Sequence, residues 1–224
     1  MKASLPLAFA SSLAFSVASP AAQIALYPTG PAQDSAYMRL LNPSASALAL
    51  QPDGGQSQLQ LQAGQLSSDF MPIPGGQRIT GNLERDSHQA RLHLQAAPGE
   101  FITVITLANA QGGIDPLIVH ETFELPNMLK ASLALFNADA SCVEPQVKLA
   151  GHDLDLFAKA PAGNPRRQEI NPRSGLSVQL QCAGKAVGAP QDLGPLLAGE
   201  RYSLFLLPSP SGTQLRSITD NTAH

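Results

Sequence analysis

Few side chains of this sequence have the types and spacing of a reactive or metal-binding site. The nearest candidate is His152-Asp153-Leu154-Asp155, whose two carboxylates share one face of an extended segment and could hold a calcium ion or orient a catalytic base. The alternative, which we favour, is a solvated hairpin end. The other histidines have no ligand spacing, and the chain lacks the motifs of serine hydrolases, nucleotide-binding loops and zinc proteases. The sequence therefore predicts no catalytic residue, no metal site and no cofactor.

The two cysteines, Cys142 and Cys182, are 40 residues apart, and each adjoins an apolar segment with the pattern of a strand. Neither has the neighbours of a zinc site or of a redox-active Cys-x-x-Cys pair. We expect a structural disulfide, which on the chain-entropy model would stabilise the fold by about 3–4 kcal/mol in an oxidising compartment. Two buried free thiols are the alternative.

Composition and charge exclude one class of partner. The chain has 224 residues, of which 43% are hydrophobic and 14% charged, and its net charge at pH 7 is −3. An acidic chain is not attracted to the phosphates of nucleic acid or to an anionic membrane surface. We therefore exclude nucleic acid as a partner. Eighteen glycines and nineteen prolines favour many short strands and turns over long helices.

The N-terminus has the pattern of an export signal. Lys2 precedes a short apolar run that ends near Ala18, and small residues follow. This order of features is typical of a secretory signal peptide, which we predict over residues 1–22 with a periplasmic destination. A membrane anchor is the alternative, but the run falls short of the about 20 apolar residues that span a bilayer.

The chain contains an internal duplication. Three pairs of segments match in the same order, namely Ala36–Ser46 with Ala131–Ser141, Asp69–Gly75 with Glu169–Gly175, and Pro98–Leu107 with Ala198–Leu207. Within each copy, short apolar or alternating runs are interrupted by glycine and proline at hairpin intervals. We therefore predict an all-β protein of two tandem antiparallel β-sandwich domains with about seven strands each.

The join between the copies falls near Pro126, which interrupts the strand pattern. We predict a first sandwich over 23–121, a linker over 122–128, a second sandwich over 129–216 and a frayed polar tail over 217–224. A linker this short suggests that the two sandwiches touch. The charged segments 84–86 and 166–167 are predicted to be exposed.

The duplicated segments also resemble a known family, the AlgF-type proteins, which are periplasmic accessories of alginate O-acetylation. The matching stretches span the mature chain in order, and they are Ala25–Tyr27, Ser35–Asn42, Ser67–Gly75, Gln168–Pro172 and Gly199-Glu200. The resemblance implies two tandem β-sandwiches and membership in an assembly that modifies an exopolysaccharide. In that assembly a membrane-bound O-acyltransferase passes acetyl groups outward, and periplasmic SGNH-type acetyltransferases place them on sugar hydroxyls. Because AlgF-type proteins have no known nucleophile, the resemblance implies an adaptor or relay with no catalytic residue.

The leading hypothesis is a non-catalytic periplasmic subunit for O-acetylation of an extracellular polysaccharide. Alginate is favoured over cellulose, although related gene clusters for the acetylation of cellulose encode an AlgF-like component of their own. The expected partners are the acyltransferase and the SGNH-type proteins, with at most weak contact to the polysaccharide. We predict partner contacts in the loops around Asn42, Met71, Pro72, Asn171 and Pro172, where turns point backbone groups outward. Plain turn chemistry is the alternative for the same loops.

Three other functions remain open. A stand-alone glycan-binding module is the second hypothesis, although no Trp and only three Tyr are available to form a sugar platform. An edge-strand chaperone is disfavoured because the two domains are alike and no long pairing strand stands out. A serine or histidine that carries an acetyl group is the least favoured.

Overall fold

A computed structural model describes residues 35–55, 57–122, 124–125, 127–163 and 165–223, which form sixteen β-strands and no helix. The first eight strands are β1 (Ser35–Leu41), β2 (Leu48–Pro52), β3 (Leu59–Leu61), β4 (Met71–Pro74), β5 (Arg78–Arg85), β6 (His88–Gln95), β7 (Phe101–Ala108) and β8 (Ile114–Glu121). The other eight are β9 (Ala131–Asn137), β10 (Gln146–Leu149), β11 (Asp155–Phe157), β12 (Arg166–Ile170), β13 (Ser177–Cys182), β14 (Lys185–Asp192), β15 (Arg201–Ser209) and β16 (Gly212–Thr219). No part of the chain described here forms a helix that could cross a membrane. The predicted signal peptide lies outside the described residues.

Each half of the chain forms a sandwich of two four-stranded sheets. The N-terminal sandwich has the strand orders β4-β1-β7-β8 and β3-β2-β5-β6, and the C-terminal sandwich has β12-β9-β15-β16 and β11-β10-β13-β14. The second half repeats the strand order of the first, so the predicted fold class of two tandem, duplicated β-sandwiches is confirmed. Two details differ from the prediction. Among the described residues, each half has eight strands, and β1 pairs with β7, and β9 with β15, in parallel.

Strand register supports the duplication residue by residue. In the parallel pair of the N-terminal half, Arg39 lies opposite Thr103. In the C-terminal half, Ala134 lies opposite Ser203. These are the positions that the aligned sequence segments make equivalent, so the duplicated pattern extends to the pairing of individual residues.

One of the three segment alignments was wrong by three residues. Ile73 pairs with Ala36 on β1, and Ile170 pairs with Ala131 on β9. Ile170 is therefore the structural equivalent of Ile73, whereas the sequence alignment had matched it to Phe70. The alignment had relied on a shared proline and glycine, which mark turns but do not fix the register of a strand.

Three apolar clusters hold the fold together. Each sandwich has its own core between its two sheets. A third cluster lies between the sheets that contain β1 and β9, and it consists of Leu41, Ile105, Val119, Ala134, Phe136, Ala138, Phe205 and Leu207. We call these the inner sheets and the surface where they meet the junction. Because both faces of the inner sheets are covered, their central strands are mostly apolar rather than alternating, and β9 is buried along its whole length.

The described part of the tail differs from the prediction that residues 217–224 are frayed. β16 continues to Thr219, and the side chain of Asp220 is only 2% exposed. The backbone of Phe70, in the N-terminal sandwich, donates to Asn221 and accepts from Ala223, both at 2.8 Å. The tail therefore crosses from one sandwich to the other. Its polar composition suggested an exposed segment, but the acidic side chain of Asp220 has buried partners. The other predicted domain boundaries stay predictions.

Cys142 and Cys182 form a disulfide, with their Cα atoms 5.1 Å apart. The bond ties the loop after β9 to the last residue of β13, so it joins the two sheets of the C-terminal sandwich. Cys142 belongs to the core of that sandwich, and Cys182 packs against it.

Candidate functional site at the junction of the sandwiches

Asn42, one of the predicted partner contacts, is a buried turn residue. Its side chain donates to the Ser46 carbonyl at 2.7 Å and accepts from the Ser44 N–H at 3.3 Å. Asn137, its equivalent in the second copy, likewise accepts from the N–H of Asp139, two residues on. Asn42 is only 1% exposed, so its own side chain faces inward, and partner contact by the loop around it stays a prediction. Turn chemistry, the alternative, accounts for the repeated asparagine.

The other four predicted contacts lie nearer the surface, in different sandwiches. Met71 and Pro72 belong to β4, an edge strand of the N-terminal inner sheet, with Pro72 exposed and Met71 half-buried. Asn171 and Pro172 are exposed in the loop after β12, where Asn171 Oδ1 accepts from Lys130 Nζ. Their role in partner contact stays a prediction.

Charged side chains from both halves meet at the junction. Arg39 on β1 is 1% exposed, and its Nη1 lies 2.6 Å from Asp220 Oδ1. Its Nε donates to Thr103 Oγ1 at 3.0 Å, and its Nη2 donates to Ser203 Oγ at 2.9 Å. Thr103 and Ser203 occupy equivalent positions in the two copies. The Arg39 guanidinium therefore bonds to the hydroxyl at this position in each sandwich.

Two further arginines extend this network from the C-terminal sandwich. Arg167 Nη2 lies 3.3 Å from Asp220 Oδ2, and the Arg167 guanidinium also pairs with the Glu121 carboxylate. Arg201 Nη2 lies 3.2 Å from Glu121 Oε1. The pairs of Arg39 with Asp220, and of Glu121 with both Arg167 and Arg201, all join one sandwich to the other. We call these five side chains the junction network.

Aromatic rings pack against two of the arginines. The Cζ atom of Arg39 is 4.3 Å from the ring centroid of Phe70 and 5.2 Å from that of Phe205. The Cζ atom of Arg201 is 5.3 Å from the ring centroid of Phe101. Such cation–π contacts strengthen when the cation is removed from water. Phe101 and Arg201 are equivalent positions of the two copies, and they contact each other across the junction, as equivalent residues do in a two-fold symmetric dimer.

Electrostatics at the junction favour the ionised form of Asp220. Burial alone would raise the pKa of the Asp220 carboxyl, but the charges of Arg39 and Arg167 outweigh it and hold that pKa below its ordinary value. Burial and the neighbouring Arg167 charge lower the pKa of Arg201, which as an arginine stays protonated. The network is thus a set of mutually paired ions, suited to fastening the sandwiches together rather than to moving a proton.

A groove of about 550 Å³ opens in the N-terminal sandwich beside β3 and β4. Its floor includes the buried side chains of Met38 and Leu50. At its rim, Asp53 accepts from Thr80 Oγ1 at 2.6 Å and from Arg91 Nη1 at 3.0 Å. The hydrogen bonds from Arg91 are the main reason that the pKa of Asp53 falls to about 2. The groove therefore combines an apolar floor with a rim on which an acid and a base neutralise each other.

The acidic segment that suggested calcium forms a surface ion pair instead. Lys148 Nζ lies 2.5 Å from Asp153 Oδ1 and 3.7 Å from Asp155 Oδ1, and the Asp153 side chain is 93% exposed. This agrees with the solvated hairpin end. Over the described ranges, no group of three or more His, Cys, Asp or Glu side chains is arranged to hold a metal ion.

Sequence reasoning missed the buried arginines because it treated charged residues as exposed. Arg85 is 5% exposed, and its Nη1 donates to the Thr106 carbonyl at 2.9 Å. Arg167 belongs to the junction network rather than to the solvated surface. The signal that could have found the network is Arg39, a lone charge inside an otherwise apolar strand, since such a residue needs a buried partner.

A comparison with protein-family models finds no match, and neither does a comparison with curated proteins. Among solved structures, the C-terminal domain of AlgF from P. aeruginosa is 22% identical, covering 41% of this chain and 98% of that domain, with a TM-score of 0.34. A putative cell adhesion protein from Bacteroides uniformis is 11% identical over 85% of this chain and 100% of its own, with a TM-score of 0.31. A family 26 carbohydrate-binding module of Amy13K from Eubacterium rectale, solved with maltoheptaose, is 11% identical over 85% of this chain and 98% of its own, with a TM-score of 0.25. At these identities and TM-scores, no activity or residue role is taken from the likenesses.

Proposed function

We propose that this protein is a non-catalytic accessory subunit that acts as an adaptor in the O-acetylation of an extracellular polysaccharide. The observation that carries the proposal is the position of the AlgF-like segments in the fold. Ser35–Asn42 includes β1 and Arg39, and Ser67–Gly75 includes β4 and Phe70. Both segments therefore contribute to the N-terminal side of the junction.

The AlgF-like segments of the second copy adjoin residues on the other side. Gln168–Pro172 directly follows Arg167, and Gly199-Glu200 directly precedes Arg201. The resemblance is thus spread over both sandwiches and includes or adjoins residues that fasten them together. This supports a protein whose function depends on both sandwiches being joined, as an adaptor's does.

The described chemistry fits an adaptor better than an enzyme. The ionised groups of the junction network bind each other, and both sandwiches fall within one compact unit. Such a unit offers separate surfaces for the two proposed partners, a membrane-bound O-acyltransferase and an SGNH-type acetyltransferase. The disulfide supports an oxidising compartment such as the periplasm, to which the predicted signal peptide would direct the chain.

The test is the acetyl-ester content of the exopolysaccharide from a deletion strain, its parent and the complemented strain. We expect acetylation to collapse while polymer yield persists, and complementation to restore it. The sugar composition of the polymer then distinguishes alginate, which we favour, from cellulose. Unchanged acetyl content in the deletion strain would exclude the accessory function.

A stand-alone glycan-binding module is the second candidate, and the groove beside β3 and β4 is the observation in its favour. Its lining includes Asp53, Gln58 and Arg78 as polar partners for a sugar. Isothermal titration of the purified protein with alginate and cellulose oligosaccharides separates the two functions. A glycan-binding module requires measurable affinity, whereas the adaptor requires none.

A further inference from the structure

Four large apolar side chains lie exposed where the linker meets the C-terminal sandwich. Leu125, Met128, Leu129 and Leu197 have 88%, 66%, 79% and 57% of their surface exposed. We call these four residues the linker patch. An exposed cluster of large apolar side chains commonly marks an interaction site. Burial of each side chain against a partner would supply the favourable free energy that is missing while it is exposed to water.

Two parts of the patch meet where the linker end lies against the loop before β15. The Gly199 N–H donates to the Lys130 carbonyl at 2.8 Å. A Cβ atom added to Gly199 would lie 2.9 Å from Met128 Cε, so the Met128 side chain covers this glycine. Leu197 is two residues before Gly199, in the same loop.

Hydrogen bonds hold the turn that presents the patch. The Asn127 N–H donates to Glu169 Oε1 at 3.0 Å, and the Leu129 N–H donates to Asn127 Oδ1 at 3.0 Å. The Lys130 N–H donates to the Asn127 carbonyl at 2.9 Å. Met128 and Leu129 are therefore carried by a hydrogen-bonded turn, which lowers the entropic cost of binding a partner.

The rim of the patch is acidic. The exposed residues Glu124, Glu169 and Glu200 all adjoin it along the chain or through the hydrogen bond to Asn127. Two cations also lie here, namely Lys130, whose ammonium group donates to Asn171 Oδ1, and Arg173, whose backbone pairs with Leu196 beside the patch, so the three carboxylates outnumber them. An occupant with basic groups around an apolar centre would complement this charge pattern.

Charge complementarity also decides between classes of occupant. An anionic membrane surface would be repelled by the three carboxylates. In a symmetric dimer of this chain, the same three carboxylates would face their own copies. We therefore propose that the linker patch binds a protein segment whose apolar side chains are flanked by lysine or arginine. This deepens the adaptor function, and it rests on that function only for the identity of the partner proteins.

The first test uses two labelled synthetic peptides with the same leucine anchors, one flanked by lysines and the other by glutamates, in fluorescence anisotropy. We expect the protein to bind the lysine peptide about tenfold more tightly than the glutamate peptide. The triple variant L125S/M128S/L129S should lose about tenfold in affinity for the lysine peptide. The variant E124Q/E200Q should bind it more weakly and with a smaller salt dependence.

The matched control is V143S/L154S, which removes two other exposed apolar side chains of the C-terminal sandwich. It should bind the lysine peptide as the wild type does. Equal affinity for both peptides, no binding of either, or unchanged binding by the triple variant would each overturn the proposal. Patch-dependent dimerisation in sedimentation, or patch-dependent flotation with phosphatidylglycerol vesicles, would overturn it in favour of a second copy or a membrane.

The second test separates this proposal from the adaptor function. Pull-downs use the acyltransferase and the SGNH-type proteins of the same organism, with the full-length wild type and the triple variant as bait. Binding by the wild type that the triple variant loses supports both proposals. Equal binding by both baits overturns the patch and leaves the adaptor function intact. If the wild type binds none of these proteins but still selects the lysine peptide, the adaptor function fails and the patch stands.

Discussion

At the scale of single residues, Arg39 illustrates when a buried charge contributes to stability. Its guanidinium pairs with Asp220 and donates to the hydroxyls of Thr103 and Ser203. A buried ion pair offsets the cost of leaving water only if its geometry is good and its remaining polar atoms are bonded. Here all three nitrogens of the guanidinium have partners, and Asp220 bonds a second arginine. Removal of one member leaves the others charged and buried.

We therefore expect Asp220→Ala to lower the free energy of unfolding by about 3–5 kcal/mol, the usual effect of breaking a buried pair. Asp115→Ala is the control, because Asp115 is an exposed residue of β8, and its change should stay within about 0.5 kcal/mol. Urea titration of both variants measures the difference. If Asp220→Ala unfolds at the same urea concentration as Asp115→Ala, the junction network does not stabilise the fold.

The same carboxyl predicts how stability depends on pH. The pKa of Asp220 in the folded protein lies below the value of 3.8 for an unperturbed Asp. Its contribution to stability is therefore complete above the unfolded pKa and is lost as pH falls through the folded pKa. We expect the stability difference between wild type and Asp220→Asn to stay constant from pH 7 to about pH 5, and to shrink below about pH 4. Urea midpoints at a series of pH values test this, and a difference that stays constant to pH 2 would contradict it.

At the scale of strands and turns, the local sequence pattern was sufficient to predict the structure wherever neighbouring residues determine it. The short apolar and alternating runs predicted strands, and β1 over Ser35–Leu41 is one of these runs. The turn at Asn42 was recognisable from its residue types, although its burial was not. The pattern failed where the partner is distant in sequence. Asp220 lies 181 residues from Arg39, so nothing near the tail indicated that it would be buried.

Gly81 on β5 allows a close approach between β5 and β2, which are neighbours in the N-terminal sheet of order β3-β2-β5-β6. A Cβ atom there would lie 2.8 Å from the Gln51 carbonyl oxygen and 3.2 Å from Pro52 Cα, both of them backbone atoms of β2. Because backbone atoms cannot swing aside, we expect Gly81→Ala to cost about 1–3 kcal/mol. In the control Gly175→Ala, the added Cβ meets no described heavy atom within 4 Å, so stability should be unchanged or rise by about 0.4–1 kcal/mol. Thermal unfolding of the two variants decides, and equal melting temperatures would contradict the prediction.

The disulfide is the covalent link between the sheets of the C-terminal sandwich. We expect C142S/C182S to lose about 3–4 kcal/mol, since the reduced chain regains the freedom of a 40-residue loop on unfolding. Urea titration with and without dithiothreitol is the measurement. The reductant should lower the stability of the wild type towards that of the double variant and leave the variant unchanged. Reductant sensitivity of the double variant would show that the effect does not come from this bond.

At the scale of the whole molecule, the junction has the contacts of a dimer interface within one chain. Equivalent residues of the two copies meet there. Phe101 contacts its equivalent, Arg201. The hydroxyls of Thr103 and Ser203, which are also equivalent, both bond to Arg39. The two copies have nevertheless diverged, because the equivalent of Arg39 in the second half is Ala134. One arginine therefore serves both copies, which a symmetric pair of identical chains could not achieve without a second buried charge.

This arrangement predicts that the covalent linker is not what keeps the sandwiches together. A protease site inserted after Glu124 would allow the chain to be cut between the halves. We expect the cut halves to elute as one particle in size-exclusion chromatography, because the apolar cluster of the junction and the junction network both remain. With Asp220→Ala in the same background, the halves should separate at lower protein concentration, whereas Asp115→Ala should have no effect. Halves that separate in native buffer without any substitution would mean that the sandwiches are tethered modules, and an adaptor of that kind could not hold its two partners in a fixed arrangement.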